Sequence, residues 1–293
     1  MNAPHVQRTT LDSPRQRAWL RLRRSHSARI GATVVIVFLL MAIGCGVLAP
    51  YEPESRDSIA AAPSGPTAKH WLGVDANEKD VLSRVMYGSR LSLFAGVVSI
   101  TLAIAIGTPA GAIAGYFGGL TETVIMRSID IALAFPSILI ALLVATAYRP
   151  GWGAVIIAVG LINVPVFARQ VRVTVLAIRE LDYVVASRSL GATAAHILFH
   201  TVLPGLISPV VVLATMGLGS AVLEVAGLSF LEVGGDPTEP EWGSMLAQAK
   251  DHLSVSIWPA VGPGVAISAA ILGFNLLGDG IRDALDPRLN DGA

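Results

Sequence analysis

Apolar residues in this chain come in long blocks rather than in alternating stripes. A helix needs roughly 20 residues to cross about 30 Å of hydrocarbon at 1.5 Å per residue. Six charge-free windows approach that length: Ile30 to Ala49, Leu91 to Gly115, Ile131 to Tyr148, Pro150 to Ala168, Gly205 to Leu223 and Leu253 to Gly278. The pattern predicts an all-α membrane protein with six transmembrane helices spread over residues 30–278, flanked by short tails at 1–29 and 279–293.

A polar interruption inside the bundle, residues 169–204, carries its own helical grammar. Asp182-Tyr-Val-Val-Ala-Ser-Arg-Ser-Leu-Gly-Ala-Thr193 reads as a short helix stopped by Gly191, followed by a second that Thr193 caps with its side-chain oxygen. A compact knob is expected there rather than a loose linker. In the first interruption, Tyr51 to Lys69 lacks periodicity and reads as a linker. Asn77 to Asp80 then caps a segment in which Val81, Leu82, Val85 and Met86 share a face, as in a short helix lying on the membrane surface. Gly107, Gly111 and Gly115 recur every four residues, a spacing that admits a second helix at close range, either within the chain or from another subunit. Pro109 lies among them and is expected to bend that span.

Composition agrees with the spans. Of 293 residues 53% are hydrophobic and only 14% charged, far from a soluble domain. Basic and acidic residues balance at 21 each, which leaves no electrostatic footprint for nucleic acid. With both termini on one side, 14 basic residues fall on that side against 7 on the other, which places both termini in the cytoplasm. The single cysteine, Cys45, excludes an internal disulfide.

Candidate chemistry within the spans is sparse. Counting 20 residues from Pro204 puts Glu224 at the outer edge of its span, so no Asp, Glu, Lys or Arg is expected near mid-membrane. An ion-coupled secondary carrier, the alternative class, would keep such groups there. Ser99, Thr101, Asn163, Thr215 and Ser268, with Glu224 at the mouth, are candidates to line a path; hydrogen bonding between helices accounts for them equally well. Asp130 stands three residues after Arg127, as in a helix-surface pair. His196 and His200 are one turn apart, but no third ligand accompanies them and no metal site is expected. The three lysines, Lys69, Lys79 and Lys250, do not follow a glycine as a phosphate-binding loop requires, so energy from nucleotide must come from a partner. Between the last two windows Glu232, Asp236, Glu239, Glu241 and Asp251 face one lysine, and Trp242 is placed to anchor at the membrane interface.

Over residues 71–288 the chain resembles the C-type permeases of dipeptide, oligopeptide and nickel ABC importers. The resemblance rests on Leu72-Gly-Val-Asp75, Gly115-Tyr-Phe-Gly-Gly119, Ile125-Met-Arg-Ser-Ile-Asp130, Leu133-Ala-Phe-Pro136, Gly227-Leu-Ser-Phe-Leu231, Pro240-Glu-Trp-Gly-Ser-Met-Leu246 and the run from Phe274 to Arg288. It implies a type I ABC importer permease fold in the bacterial inner membrane, and a subunit that is not itself an enzyme. Its implied partners are a homologous B-type permease, one or two cytoplasmic ATPases that hold ATP and Mg²⁺, and an extracytoplasmic solute-binding protein. This chain would bind no cofactor. The resemblance makes the knob a coupling loop, with Asp182, Tyr183, Ala186, Ser187, Arg188, Leu190, Gly191, Ala192 and Pro204 gripped by the ATPase. With a binding protein as partner, the acidic charge makes Asp236, Glu239, Glu241, Trp242 and Asp251 a candidate docking surface for it, the alternative being a solvated hairpin that only joins two spans. The chain departs from the family pattern at Val185, Ser187, His196 and His200, where Glu, Ala and Arg are usual.

Overall fold

The computed structural model describes residues 14–57, 63–147, 151–234, 236 and 238–285. The secondary structure is helical: α1 (Pro14–Arg24), α2 (His26–Leu48), α3 (Val81–Phe117), α4 (Gly119–Ala134), α5 (Ser137–Ala147), α6 (Trp152–Arg179), α7 (Asp182–Ser189), α8 (Ala194–Ile197), α9 (Leu203–Phe230), α10 (Trp242–Lys250) and α11 (Trp258–Leu285). A π-helical turn, Leu198–Val202, fuses α8 to α9, so Ala194–Phe230 forms one 37-residue rod.

Among the described residues, five helices are long and apolar enough to cross a membrane. The sixth expected span is not one rod. Helices α4 and α5 meet at a 94° bend around Phe135 and Pro136. Pro136 disfavours helical geometry at the residue before it, and Phe135 is accordingly extended at φ −92°, ψ 143°. A hydropathy window registers apolar content, not direction, and so misses the break. Other boundaries move too. The presumed surface helix at Val81 is the first turns of α3, which runs unbroken for 37 residues. Helix α11 starts at Trp258 and runs past Gly278 to Leu285, so the expected tail from 279 begins inside a helix. Residues 1–13 and 286–293 of the expected tails, and the window edges Tyr148 and Pro150, lie outside the described residues.

The glycine ladder on α3 packs within the chain. A Cβ on Gly107 would lie 2.7 Å from the Val164 carbonyl oxygen, one on Gly111 2.3 Å from that of Ala168, and one on Gly115 2.9 Å from that of Arg172. Both helices therefore advance four residues per contact, and their backbones touch along three successive turns. Gly31 of α2 similarly meets the backbone of Gly273, Leu276 and Leu277 on α11, and Gly280 meets Ala28. Around these contacts lie apolar clusters, one centred on Val155, Val159, Ala221 and Val225, another on Phe38, Trp242, Ala266 and Phe274.

Residues 51–57 and 63–80 are not a bare linker. Single β-bridges join Ser64 to Val74 and Val74 to Asp80, and the Asp80 carboxylate caps α3 by accepting from Ser83 N at 2.7 Å. The buried His70 imidazole lies between Asp80 (Nδ1, 2.9 Å) and Asp57 (Nε2, 3.1 Å). The buried Arg84 guanidinium stands 3.4 Å from Asp75. These polar contacts fold the segment over one end of the bundle. The α7–α8 knob occupies the other.

Candidate functional site

The knob follows from local backbone chemistry. Helix α7 ends where Gly191 takes φ +81°, a left-handed conformation that costs a residue with a Cβ about 1–2 kcal/mol. Beyond it the Thr193 hydroxyl oxygen accepts from His196 N at 3.3 Å and starts α8. Val184, Ile197, Leu198 and Val202 are buried with Val171, Val175 and Ile178 of α6, and they fix the knob to the bundle.

Its other surface is open. Leu190 is 88% exposed, and Tyr183, Val185, Leu181 and Phe199 are also exposed. Among the residues named for coupling, Asp182, Ala186, Arg188 and Pro204 are exposed, while Ser187 and Ala192 are half-buried. The Ser187 hydroxyl donates to the Tyr183 carbonyl at 2.8 Å. His196 and His200 stack with ring centroids 4.5 Å apart, and among the described residues no group of three metal-ligating side chains forms.

Two ion pairs brace the bundle beside this knob. Asp130 pairs not with Arg127 but across helices, with Arg169 Nη2 at 2.8 Å. Glu122 accepts from Arg172 Nε at 2.6 Å. Both tie the bent α4 to α6.

The path candidates do not converge on one cavity. Ser99 is buried and donates to the Ile156 carbonyl at 3.1 Å, joining α3 to α6. Thr101 and Ser268 are exposed and Thr215 half-buried, and each hydroxyl donates to its own helix four residues back. Asn163 and Glu224 do come together, with Asn163 Nδ2 donating to Glu224 Oε2 at 2.6 Å. Glu224 stands six residues, about 9 Å, before the Phe230 end of α9. Its partner sits about 17 Å from the Trp152 end of α6, at 1.5 Å per residue, within that helix's uncharged stretch.

The acidic segment before α10 divides in two. Asp236, Glu239 and Asp251 are exposed. Glu239 accepts from Trp152 Nε1 at 2.6 Å, and Lys250 pairs with Glu232 at 2.8 Å. Glu241 and Trp242, expected on the docking surface, are instead fully buried at 0% exposure. The Glu241 carboxylate caps α10, accepting from Ser244 N at 2.9 Å and from Ser92 Oγ at 3.0 Å. Burial pushes its carboxyl above the usual carboxylate range. Trp242 donates Nε1–H to the Val85 carbonyl at 2.9 Å and meets the Phe38 ring at 5.3 Å, so it is a core residue, not an interfacial anchor. A glycine contact seats α10: a Cβ on Gly243 would fall 2.3 Å from the Ala226 carbonyl oxygen.

The described residues thus form a helical bundle with one bent span and a glycine-ended knob at one end. The chain belongs to the family described as binding-protein-dependent transport system inner membrane component, whose profile matches residues 107–291. The profile of the N-terminal transmembrane domain of oligopeptide transport permease C matches residues 13–66. Among curated relatives, the glutathione transport system permease protein GsiD of Pectobacterium atrosepticum is 39% identical, with 98% of this chain and 95% of the relative covered. The dipeptide transport system permease protein DppC of Alkalihalophilus pseudofirmus is 38% identical over 98% of this chain and 94% of its own. The fold matches an inward-facing MetNI methionine ABC transporter structure with a TM-score of 0.56 at 21% identity, covering 69% of this chain and 96% of that one. The protein is thus a multi-pass permease subunit of an ABC importer, and the secondary-carrier alternative is set aside.

Proposed function

We propose that this permease imports a peptide or a related small solute, with its α7–α8 knob seated on a cytoplasmic ATPase. A homologous B-type permease would complete the passage, two ATPases would bind ATP and Mg²⁺, and an extracytoplasmic binding protein would deliver the solute. Both termini lie in the cytoplasm on this reading, supported by the excess of basic residues on the knob side. The peptide class is supported by relatives named for glutathione and dipeptide transport.

The observation that carries the coupling role is the contrast between the knob's two faces. One is anchored by Val184, at 0% exposure, and the other presents Leu190, at 88% exposure, beside exposed Tyr183 and Val185. An apolar surface of this kind on a rigid mount suits a protein partner. ATPase closure would push the knob, and because α8 is continuous with α9 through the π-turn, the push would reach a spanning helix directly. Leu190→Asp in the full importer tests this by ATPase co-purification. Loss of the ATPase with normal membrane insertion is expected; normal retention would refute the docking role.

A further inference from the structure

We infer that Glu224 is an ammonium-recognition point inside the passage, held ready by Asn163 and selecting solutes that carry a protonated amine. The inference rests on the peptide-import reading above and adds the group by which the permease itself reads its cargo.

Three observations lead there. First, Glu224 is the one charged residue of α9 and touches α6 at mid-helix Asn163, and a carboxylate within a spanning helix is costly and tied to function. Second, its bonding is one-sided. Asn163 Nδ2 uses both of its protons, one on the Val159 carbonyl at 2.9 Å and one on Glu224 Oε2. The other oxygen, Oε1, has no hydrogen bond among the described residues and is not sealed away, and no Lys, Arg or His forms an ion pair with this carboxylate there. The site is fixed in position and open to a cation. Third, the surroundings leave room. Pro209, Leu213, Met216, Ser220, Glu224 and Gly227 follow one another at three- and four-residue steps along one face of α9. The first three line a cavity of about 450 Å³ near the knob end, two turns short of Glu224 on the same face. At Gly227, one turn beyond Glu224, a Cβ would meet nothing within 4 Å. A structural helix-to-helix bond would need only the Asn163 contact, not the open oxygen or the open position one turn beyond it at Gly227.

A carboxylate in a low-dielectric cleft concentrates cations, which can be read without knowing the natural cargo. Gly227→Cys places a thiol one turn from Glu224, and the native Cys45 is buried at 0% exposure. In the assembled importer this thiol should react about tenfold faster with a trimethylammonium thiosulfonate than with a sulfonate-bearing one, a bias of the size focused fields produce. Adding Glu224→Gln, which can still accept from Asn163, should bring the ratio close to one. Ser220→Cys, on the same exposed face, serves as the second reporter site. An unchanged ratio at both sites, or no reaction at either, overturns the inference. In proteoliposomes, uptake of labelled Ala-Ala should fall at least about tenfold in Glu224→Gln with the complex intact, and partly recover in Glu224→Asp; unimpaired uptake in Glu224→Gln would also overturn it. Should the wild type not move Ala-Ala at all, the dipeptide reading fails while the labelling ratio still decides the role of Glu224.

Discussion

A methyl group on Gly111 would stand 2.3 Å from the carbonyl oxygen of Ala168, so α3 and α6 touch there backbone to backbone. Between helices in a membrane, where lipid tails are as apolar as leucine, such close packing replaces the hydrophobic drive. Gly107 and Gly115 extend the contact by one turn on each side.

Gly111→Val should therefore separate two spanning helices. Overpacking of this kind costs about 1–3 kcal/mol or more, and here the obstruction is backbone, which cannot rotate away. Thermal unfolding of the detergent-solubilised importer should shift down, and the yield of monodisperse complex should drop. Gly264→Ala, on an open face where a Cβ meets nothing within 4 Å, should behave like the wild type.

The buried Glu241 caps α10 and receives the Ser92 hydroxyl from α3. Glu241→Ala leaves the Ser244 N–H and the Ser92 O–H without that acceptor, at a cost of about 1–3 kcal/mol for buried groups. Glu241→Gln keeps an acceptor oxygen and avoids placing a charge where burial disfavours it. The alanine variant should unfold earlier and the glutamine variant close to the wild type. For the native carboxyl, a folded-state pKa raised above its unfolded value gives stability that is complete at low pH and declines as pH rises through the raised value. That decline should be absent in Glu241→Gln when unfolding is followed from pH 5 to 8.

A docking role for the acidic segment would rest on fewer acids than the sequence offers. Glu241 is out of reach and Glu232 is paired with Lys250, which leaves Asp236, Glu239 and Asp251 exposed. Replacing these three with Asn, Gln and Asn should weaken a salt-sensitive association with the binding protein while the importer still assembles. Affinity measured at low and high salt checks it. Equal affinity at low salt would reduce the segment to a connector.

What the sequence revealed and what it hid divide along physical lines. The knob was legible because its signals are local: a glycine that must be left-handed and a threonine one turn from the N–H it caps. The ladder of Gly107, Gly111 and Gly115 announced a close helix contact, but only the structure shows that α6 supplies it. The contact of Glu224 with Asn163 was hidden because the two residues are 61 positions apart on different helices, and nothing local marks the pair. Glu241 and Trp242 misled for a related reason. An acid and a tryptophan beside a span ordinarily face water and headgroups, yet their partners Ser92 and Val85 are about 150 residues away, and no nearby residue signals the contact.

The knob itself gives the sharpest test of coupling. Gly191 has φ +81° and open space around it, so a substitution there is opposed by backbone conformation and not by any neighbour. Gly191→Val should strain the left-handed position, shift the angle between α7 and α8, and leave the distant α3–α6 ladder untouched. Gly191→Asn, which tolerates left-handed geometry, should retain most function. Ser187→Trp adds bulk on a half-buried position of α7 and should obstruct the ATPase directly. The measurement is ATPase co-purification together with stimulation of ATP hydrolysis by the loaded binding protein. Expected is a stable complex with stimulation lost in Gly191→Val, reduced ATPase retention in Ser187→Trp, and near-normal behaviour in Gly191→Asn. Full stimulation in both Gly191→Val and Ser187→Trp would show that motion reaches the spans by another route.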